Sequence, residues 1–130
     1  MPNRRVLIVD DDATSSDLAA LMGKNTRGFE LRLENDPAIA LQAAHEFGPH
    51  VIVLDIDMPE NAGADLLLAL SRDSALRHVP VLFLTRRATN RSETGEPKAD
   101  GGARPILAKP VDPVVLLEAV AHLLDLEHGS

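Results

Sequence analysis

Four short apolar runs, each ending on a polar residue, restrict this chain more than any other feature. Val6-Leu7-Ile8-Val9 runs into Asp10-Asp11-Asp12, and Val51-Ile52-Val53-Leu54 runs into Asp55. Val81-Leu82-Phe83-Leu84 ends on Thr85, and Ile106-Leu107-Ala108 ends on Lys109. Aliphatic runs of this length read as strands buried on both faces of a parallel sheet. Ligands of open parallel sheets bind in the crevice beyond the carboxyl ends of the strands, near a switch in strand order. Carboxylates, a hydroxyl and an ammonium that are distant in sequence are therefore expected to converge on one pocket.

Helical patterns separate the strands, which argues for βα units. Thr14-Ser15-Ser16-Asp17 resembles a capping box and leads into Leu18, Leu21 and Met22, with Gly23 as a stop. Phe29-Glu30-Leu31-Arg32-Leu33-Glu34 alternates apolar and polar residues, as a half-exposed edge strand does. Pro37 opens an alanine-rich helix carrying Ile39, Leu41, Ala44 and Phe47, closed by Gly48-Pro49. A turn containing Pro59 and Gly63 leads into a helix with Leu66, Leu67 and Leu70. Asp112 and Pro113 predict the cap and first residue of a last helix reaching about Leu126. Between Arg86 and Arg104 there is no Val, Ile, Leu, Met or Phe, so a helix there has no apolar face to bury. The composition predicts a mobile loop over 86–104, with a short surface helix between Asn90 and Lys98 as the alternative.

At 130 residues, one domain is expected, with its core over about 4–126. The net charge of -7 is concentrated partly in Asp10, Asp11, Asp12, Asp55 and Asp57, which call for a cation. No basic stripe is apparent, so direct nucleic-acid binding is not expected. The absence of cysteine excludes thiolate metal sites, disulfides and thiol catalysis. The first apolar run begins at Val6, leaving no room ahead of it for a signal peptide or membrane span; the expected location is cytoplasmic, with no membrane partner.

The residue types limit the chemistry further. Carboxylates packed together repel one another unless a cation compensates. An oxygen-only site suits Mg²⁺. Aspartate beside bound Mg²⁺ can attack phosphorus and form an acyl phosphate. Thr85 and Lys109 supply a hydroxyl and a positive charge for phosphoryl oxygens, and phosphoryl transfer needs mainly such positioning and charge stabilisation.

Asp10-Asp11, Asp55-x-x-Met58-Pro59-x-x-x-Gly63, Thr85 and Lys109-Pro110 together resemble the signature of the response-regulator receiver domain, over about Val6 to Leu124. The resemblance implies an α/β, flavodoxin-like, doubly wound fold: a five-stranded parallel sheet in the order 2-1-3-4-5 with flanking helices. It implies phosphorylation of Asp55 by a sensor histidine kinase or histidine phosphotransfer protein, and output through contacts with a further protein. It implies Mg²⁺ (or Mn²⁺) held directly by Asp11 and Asp55, by Asp10 through water, and by the backbone carbonyl of Asp57. Thr85 and Lys109 would contact the phosphoryl group, and the Lys109-Pro110 bond would be cis.

The chain departs from that pattern in three places. Arg86, followed by Arg87, stands where a small residue is usual, so guanidinium groups are candidates to modulate phosphorylation or to pair with Asp57. Ile106 stands where an aromatic switch residue is common. The apolar-free stretch lies where the family has its fourth helix, which is expected to be degenerate or disordered. The last helix carries more apolar surface than one core-facing stripe needs, making it a candidate partner or homodimer surface. Two alternatives accompany this reading. One is a phosphorylation-independent receiver-like interaction module. The other, more remote, is a haloacid-dehalogenase-type phosphatase, suggested by Asp55-x-Asp57 but opposed by the early position of the Asp10-Asp11 pair.

Overall fold

A computed structural model describes residues 4–10, 25–26, 28–85, 106–108 and 113–127. Six strands form one sheet: β1 (Arg4–Val9), β2 (Asn25–Thr26), β3 (Phe29–Glu34), β4 (Val51–Asp55), β5 (Val81–Thr85) and β6 (Ile106–Ala108), in the order β2-β3-β1-β4-β5-β6. Every neighbouring pair is parallel except β2 and β3. The five parallel strands therefore follow the expected order 2-1-3-4-5. The polar pair Asn25–Thr26 is the addition; it folds back on the start of β3, with Gly28 in the connection at φ +82. Two polar residues carry no hydrophobic period, so pattern reading has nothing to detect there.

Three helices are described: α1 (Ala40–Phe47), α2 (Ala62–Arg72) and α3 (Pro113–Glu127). The α1 end is set locally. The Asp36 side chain accepts from the Ala38 N–H at 2.9 Å, and Gly48 adopts the left-handed φ of 66 while its N–H donates to the Ala44 carbonyl. A 3₁₀ turn over Pro37–Ile39 precedes α1, so the α-helix begins later than the proline signal implied. That turn changes the phase of the helix. Ile39, expected on its apolar stripe, is exposed, whereas Ala44 is buried and Leu41 and Phe47 pack against the core as expected, with Ala40 and Ala43 joining the buried face. As expected, α3 begins at Pro113.

The period of two along each strand divides the core into two layers. Val6, Ile8, Val51, Val53, Leu82 and Leu84 pack on one face with Leu116, Leu117, Val120 and Leu124 of α3. Leu7, Val9, Ile52, Leu54 and Phe83 pack on the other with Ala40 and Ala44 of α1 and Leu66 and Leu70 of α2. Helices on both faces are the reason the strands read as unbroken apolar runs. Each fully buried Leu, Ile or Val contributes about 1.5–3 kcal/mol of burial free energy. This drives the central strands together and leaves the polar residues after them at the sheet edge. The capping box at Thr14, the 86–104 stretch and Asp112 lie outside the described residues.

Candidate functional site

Register brings the strand ends into one row. The β1–β4 pairing ends at Val9 opposite Leu54, so Asp10 and Asp55 come next on adjacent strands. Asp55 in turn pairs with Leu84, placing Thr85 one step further on β5, and Thr85 pairs with Ala108 on β6. The ladder continues past the last pairs: Asp10 N–H donates to the Glu34 carbonyl (3.1 Å), and Ile56 N–H to the Leu84 carbonyl (3.0 Å). Asp10 and Asp55 are 0% exposed and Thr85 is 3% exposed. Among the described residues, these three are the buried polar or charged side chains, and all lie at one end of the sheet.

The turn after β4 holds Asp55 in place. Asp57 N–H donates to Asp55 Oδ1 at 2.8 Å. Met58 is buried and packs against the α1/α2 layer. Glu60 and Asn61 then take left-handed backbone at φ 60 and 61, a conformation that costs energy for Glu, and deliver the chain into α2. Gly63 lies inside the first turn of α2, one step beyond the turn the sequence suggested. A Cβ there would lie 3.0 Å from the Asp55 carbonyl oxygen and 3.2 Å from Ile56 Cα. The close approach of α2 to the Asp55–Ile56 backbone thus leaves little room for a side chain at position 63.

The structure shows one pairing that sequence reading missed. Thr85 Oγ1 donates to the Asp57 carboxylate, 2.9 Å from Oδ2 and 3.1 Å from Oδ1. Sequence reasoning assigned Asp57 only a backbone carbonyl and left its side chain to Arg86. The Asp55-x-Asp57 spacing was visible, but only the β4–β5 register shows that the second acid reaches Thr85. Ile106 is half-buried and packs with the α1/α2 layer, as a core strand residue does. Asp11, Arg86, Arg87, Lys109 and Pro110 lie outside the described residues.

The donors fit a hard divalent cation. Asp10 and Asp55, both fully buried at neighbouring strand ends, offer the oxygen donors that a hard divalent cation takes. Among the described residues no three acidic or histidine side chains gather tightly enough to hold a metal by themselves, and Asp11, the third expected ligand, is not among them. No described helix is long and apolar enough to cross a membrane.

A doubly wound sheet with acids and a threonine at its carboxyl end places these residues where open α/β domains bind their ligands. The profile of the response regulator receiver domain matches residues 6–121, and the chain belongs to that family. Family membership sets aside the dehalogenase-type phosphatase. The transcriptional regulatory protein PrrA of Mycobacterium bovis is 39% identical over 121 residues, covering 92% of this chain and 48% of PrrA. The polar-differentiation response regulator DivK of Brucella anthropi is 29% identical over 121 residues, covering 93% of this chain and 96% of DivK. The crystal structure of a response regulator from Desulfuromonas acetoxidans matches with a TM-score of 0.77 at 27% identity, covering 95% of this chain and 98% of that one. The chain thus spans less than half of PrrA and nearly all of DivK. It is a response-regulator receiver domain of two-component signalling.

Proposed function

We propose that this receiver accepts a phosphoryl group on Asp55 from a sensor histidine kinase or histidine phosphotransfer protein, in a reaction that requires Mg²⁺ or Mn²⁺. The burial of Asp10 and Asp55 side by side at the carboxyl edge carries this reading. An Asp55 oxygen attacks phosphorus; the new O–P bond forms as the P–N bond to the donor histidine breaks, and the imidazole retains that electron pair and takes up a proton. Asp11 and Asp55 would hold the ion directly, Asp10 through water, and the Asp57 carbonyl would complete the protein ligands. When bound, the ion supplies the positive charge that neutralises phosphoryl oxygens. Thr85 would donate to one phosphoryl oxygen and Lys109 would neutralise another. Arg86, Arg87 and Ile106 stand as modulators of rate and readout.

Output would pass through protein contacts in the cytoplasm, with no direct nucleic-acid or membrane partner. Val114 and Val115 of α3, both 45% exposed, support its assignment as a partner or homodimer surface, which sedimentation at several concentrations tests. The phosphoacceptor assignment is tested by intact-mass measurement after incubation with acetyl phosphate and Mg²⁺. One added phosphoryl group in the wild type and none in Asp55→Asn is expected. Unmodified wild type would favour the phosphorylation-independent module.

A further inference from the structure

We infer that the last turn of α2 and the segment leading into β5 form a docking site for an acidic peptide segment of a partner protein, seated by one aliphatic side chain. The helix α2 starts against the Asp55 backbone at Gly63 and ends at Arg72. Its last turn therefore lies at the amino end of the sheet, where Ile52 N–H donates to the Pro80 carbonyl at 3.0 Å. The site is remote from Asp10, Asp55 and Thr85, and the inference does not depend on Asp55 being the phosphoacceptor. A pocket of about 30 Å³ opens there, lined by Leu67, Leu70 and Ser71 of α2, by Arg77 and Val79 of the following segment, and by Val81 of β5. Since about 10–15 Å³ seats one water-sized group, the pocket takes roughly two, the branched end of a Val or Leu but not an aromatic ring. Leu67 and Ser71 form one row along α2, and Leu68 and Arg72 form the next. Leu68 is 49% exposed, so apolar surface continues beyond the pocket.

The pocket wall is built before any partner arrives. Leu76 and Arg77 N–H both donate to the Asp73 carbonyl (3.2 and 2.9 Å), and Val79 N–H donates to the Leu76 carbonyl (2.9 Å). Binding on such a wall loses little conformational freedom. Charge then selects the occupant. Between residues 71 and 80 the charged side chains are Arg72, Asp73 and Arg77, with His78 titratable. Asp73 is already engaged: Oδ1 accepts the N–H groups of Ala75 and Leu76 (2.8 and 3.1 Å), and Oδ2 lies 2.7 Å from His45 Nε2. Arg72 and Arg77 are exposed, and neither forms an ion pair among the described residues. A chain of net charge -7 thus presents guanidinium groups beside an apolar pocket. Carboxylates on a partner complete them, while a Val, Ile or Leu between those acids fills the floor. The 86–104 stretch, next along the chain after β5, has no Val, Ile, Leu, Met or Phe to offer, so the aliphatic side chain is supplied by another protein.

The test selects binders to the full chain from a displayed random-peptide library and measures the enriched peptides by fluorescence anisotropy. Peptides in which Val, Leu or Ile is flanked by Asp or Glu should be enriched. No enrichment, or a consensus without acids, would overturn the proposal. Arg77→Glu replaces a charge-assisted contact by repulsion and should weaken these peptides at least about tenfold. Ser71→Leu, at an exposed position on the pocket wall, should fill the pocket from within and weaken them by a similar factor. Circular dichroism should be unchanged in both variants. Salt raised to about 0.5 M should weaken binding to the wild type severalfold.

Full affinity in both variants would put the peptides elsewhere and overturn the site. Loss in Ser71→Leu alone would show an apolar pocket without charge selection, which overturns the acidic partner. Self-association of the wild type that Ser71→Leu abolishes would make a second copy of this chain the occupant, with the same consequence. Asp55→Asn should bind the peptides as tightly as wild type. Loss of binding there would move the peptides to the carboxyl end of the sheet and sink the assignment, whatever acetyl phosphate shows about Asp55.

Discussion

At the amino end of the sheet, Arg5 donates its N–H to His50 Nδ1 (2.8 Å) and its Nε–H to the Gly48 carbonyl (2.8 Å), while His50 N–H donates to the Arg5 carbonyl (2.8 Å). At the carboxyl end, Asp10, Asp55 and Thr85 are buried. The same strands thus end in opposite ways. Polar groups at the amino end reach water and tie neighbouring segments to one another, at little desolvation cost. Those at the carboxyl end have given up water, which is expensive unless partners or a cation compensate. The difference separates an end that secures strand register from an end prepared for charged ligands.

The comparison can be broken most severely at Gly63. Gly63→Ala places a Cβ against the Asp55 carbonyl. Overpacking of this kind costs about 1–3 kcal/mol, against about 1 kcal/mol regained in helix propensity. A loss of about 1 kcal/mol in urea unfolding is expected, within those limits. The displacement of Asp55 should slow acetyl-phosphate loading by at least about tenfold, because small misplacements of reacting groups are costly. Unchanged loading would mean that α2 does not help position the acceptor.

A smaller effect is expected at the opposite end. His50→Ala removes the acceptor of the Arg5 N–H and should cost about 1 kcal/mol of stability. Loading of Asp55 should be unchanged, which sharpens the contrast with Gly63→Ala. Reduced loading by His50→Ala would show that the two ends are mechanically coupled.

The smallest effect lies away from both ends. His45 Nε2 and Asp73 Oδ2 are 2.7 Å apart, linking α1 to the segment after α2. Partial desolvation pushes the Asp73 carboxyl up, but the N–H groups of Ala75 and Leu76 and the His45 ring outweigh it and hold it below its ordinary range. The unfolded chain therefore binds this proton more readily than the folded one. The stability contribution is complete above about pH 4 and is lost as pH falls through the lowered folded-state value. Urea midpoints measured from neutral to acid pH should fall less steeply in Asp73→Ala than in wild type. Parallel curves would show that this pair does not contribute to acid sensitivity.

Much of the molecule was legible because parallel strands buried on both faces must be continuously apolar. Val6–Val9, Val51–Leu54 and Val81–Leu84 announced themselves by that rule, and the polar residues following them announced the shared polar end of the sheet. Ile39 was misplaced because periodicity cannot show that a 3₁₀ turn will shift the phase before α1. Gly63 was noticed but assigned to the turn, since its purpose is a contact with Asp55 eight residues earlier. The Asp57 side chain was missed because its partner, Thr85, is on another strand, and no local rule relates them.

The sequence by itself determined the strands, their common polar ending and membership of the receiver family, because these follow from hydrophobic periodicity and from the order of chemically distinct residues. Only the tertiary structure decided how those endings meet. The register sets Asp10 beside Asp55, α2 closes on the Asp55 backbone at Gly63, and the Thr85 hydroxyl goes to Asp57. The physical reason is that hydrogen bonds and close contacts act over a few ångströms in space. Residues 57 and 85 come within that distance only when two strands pair.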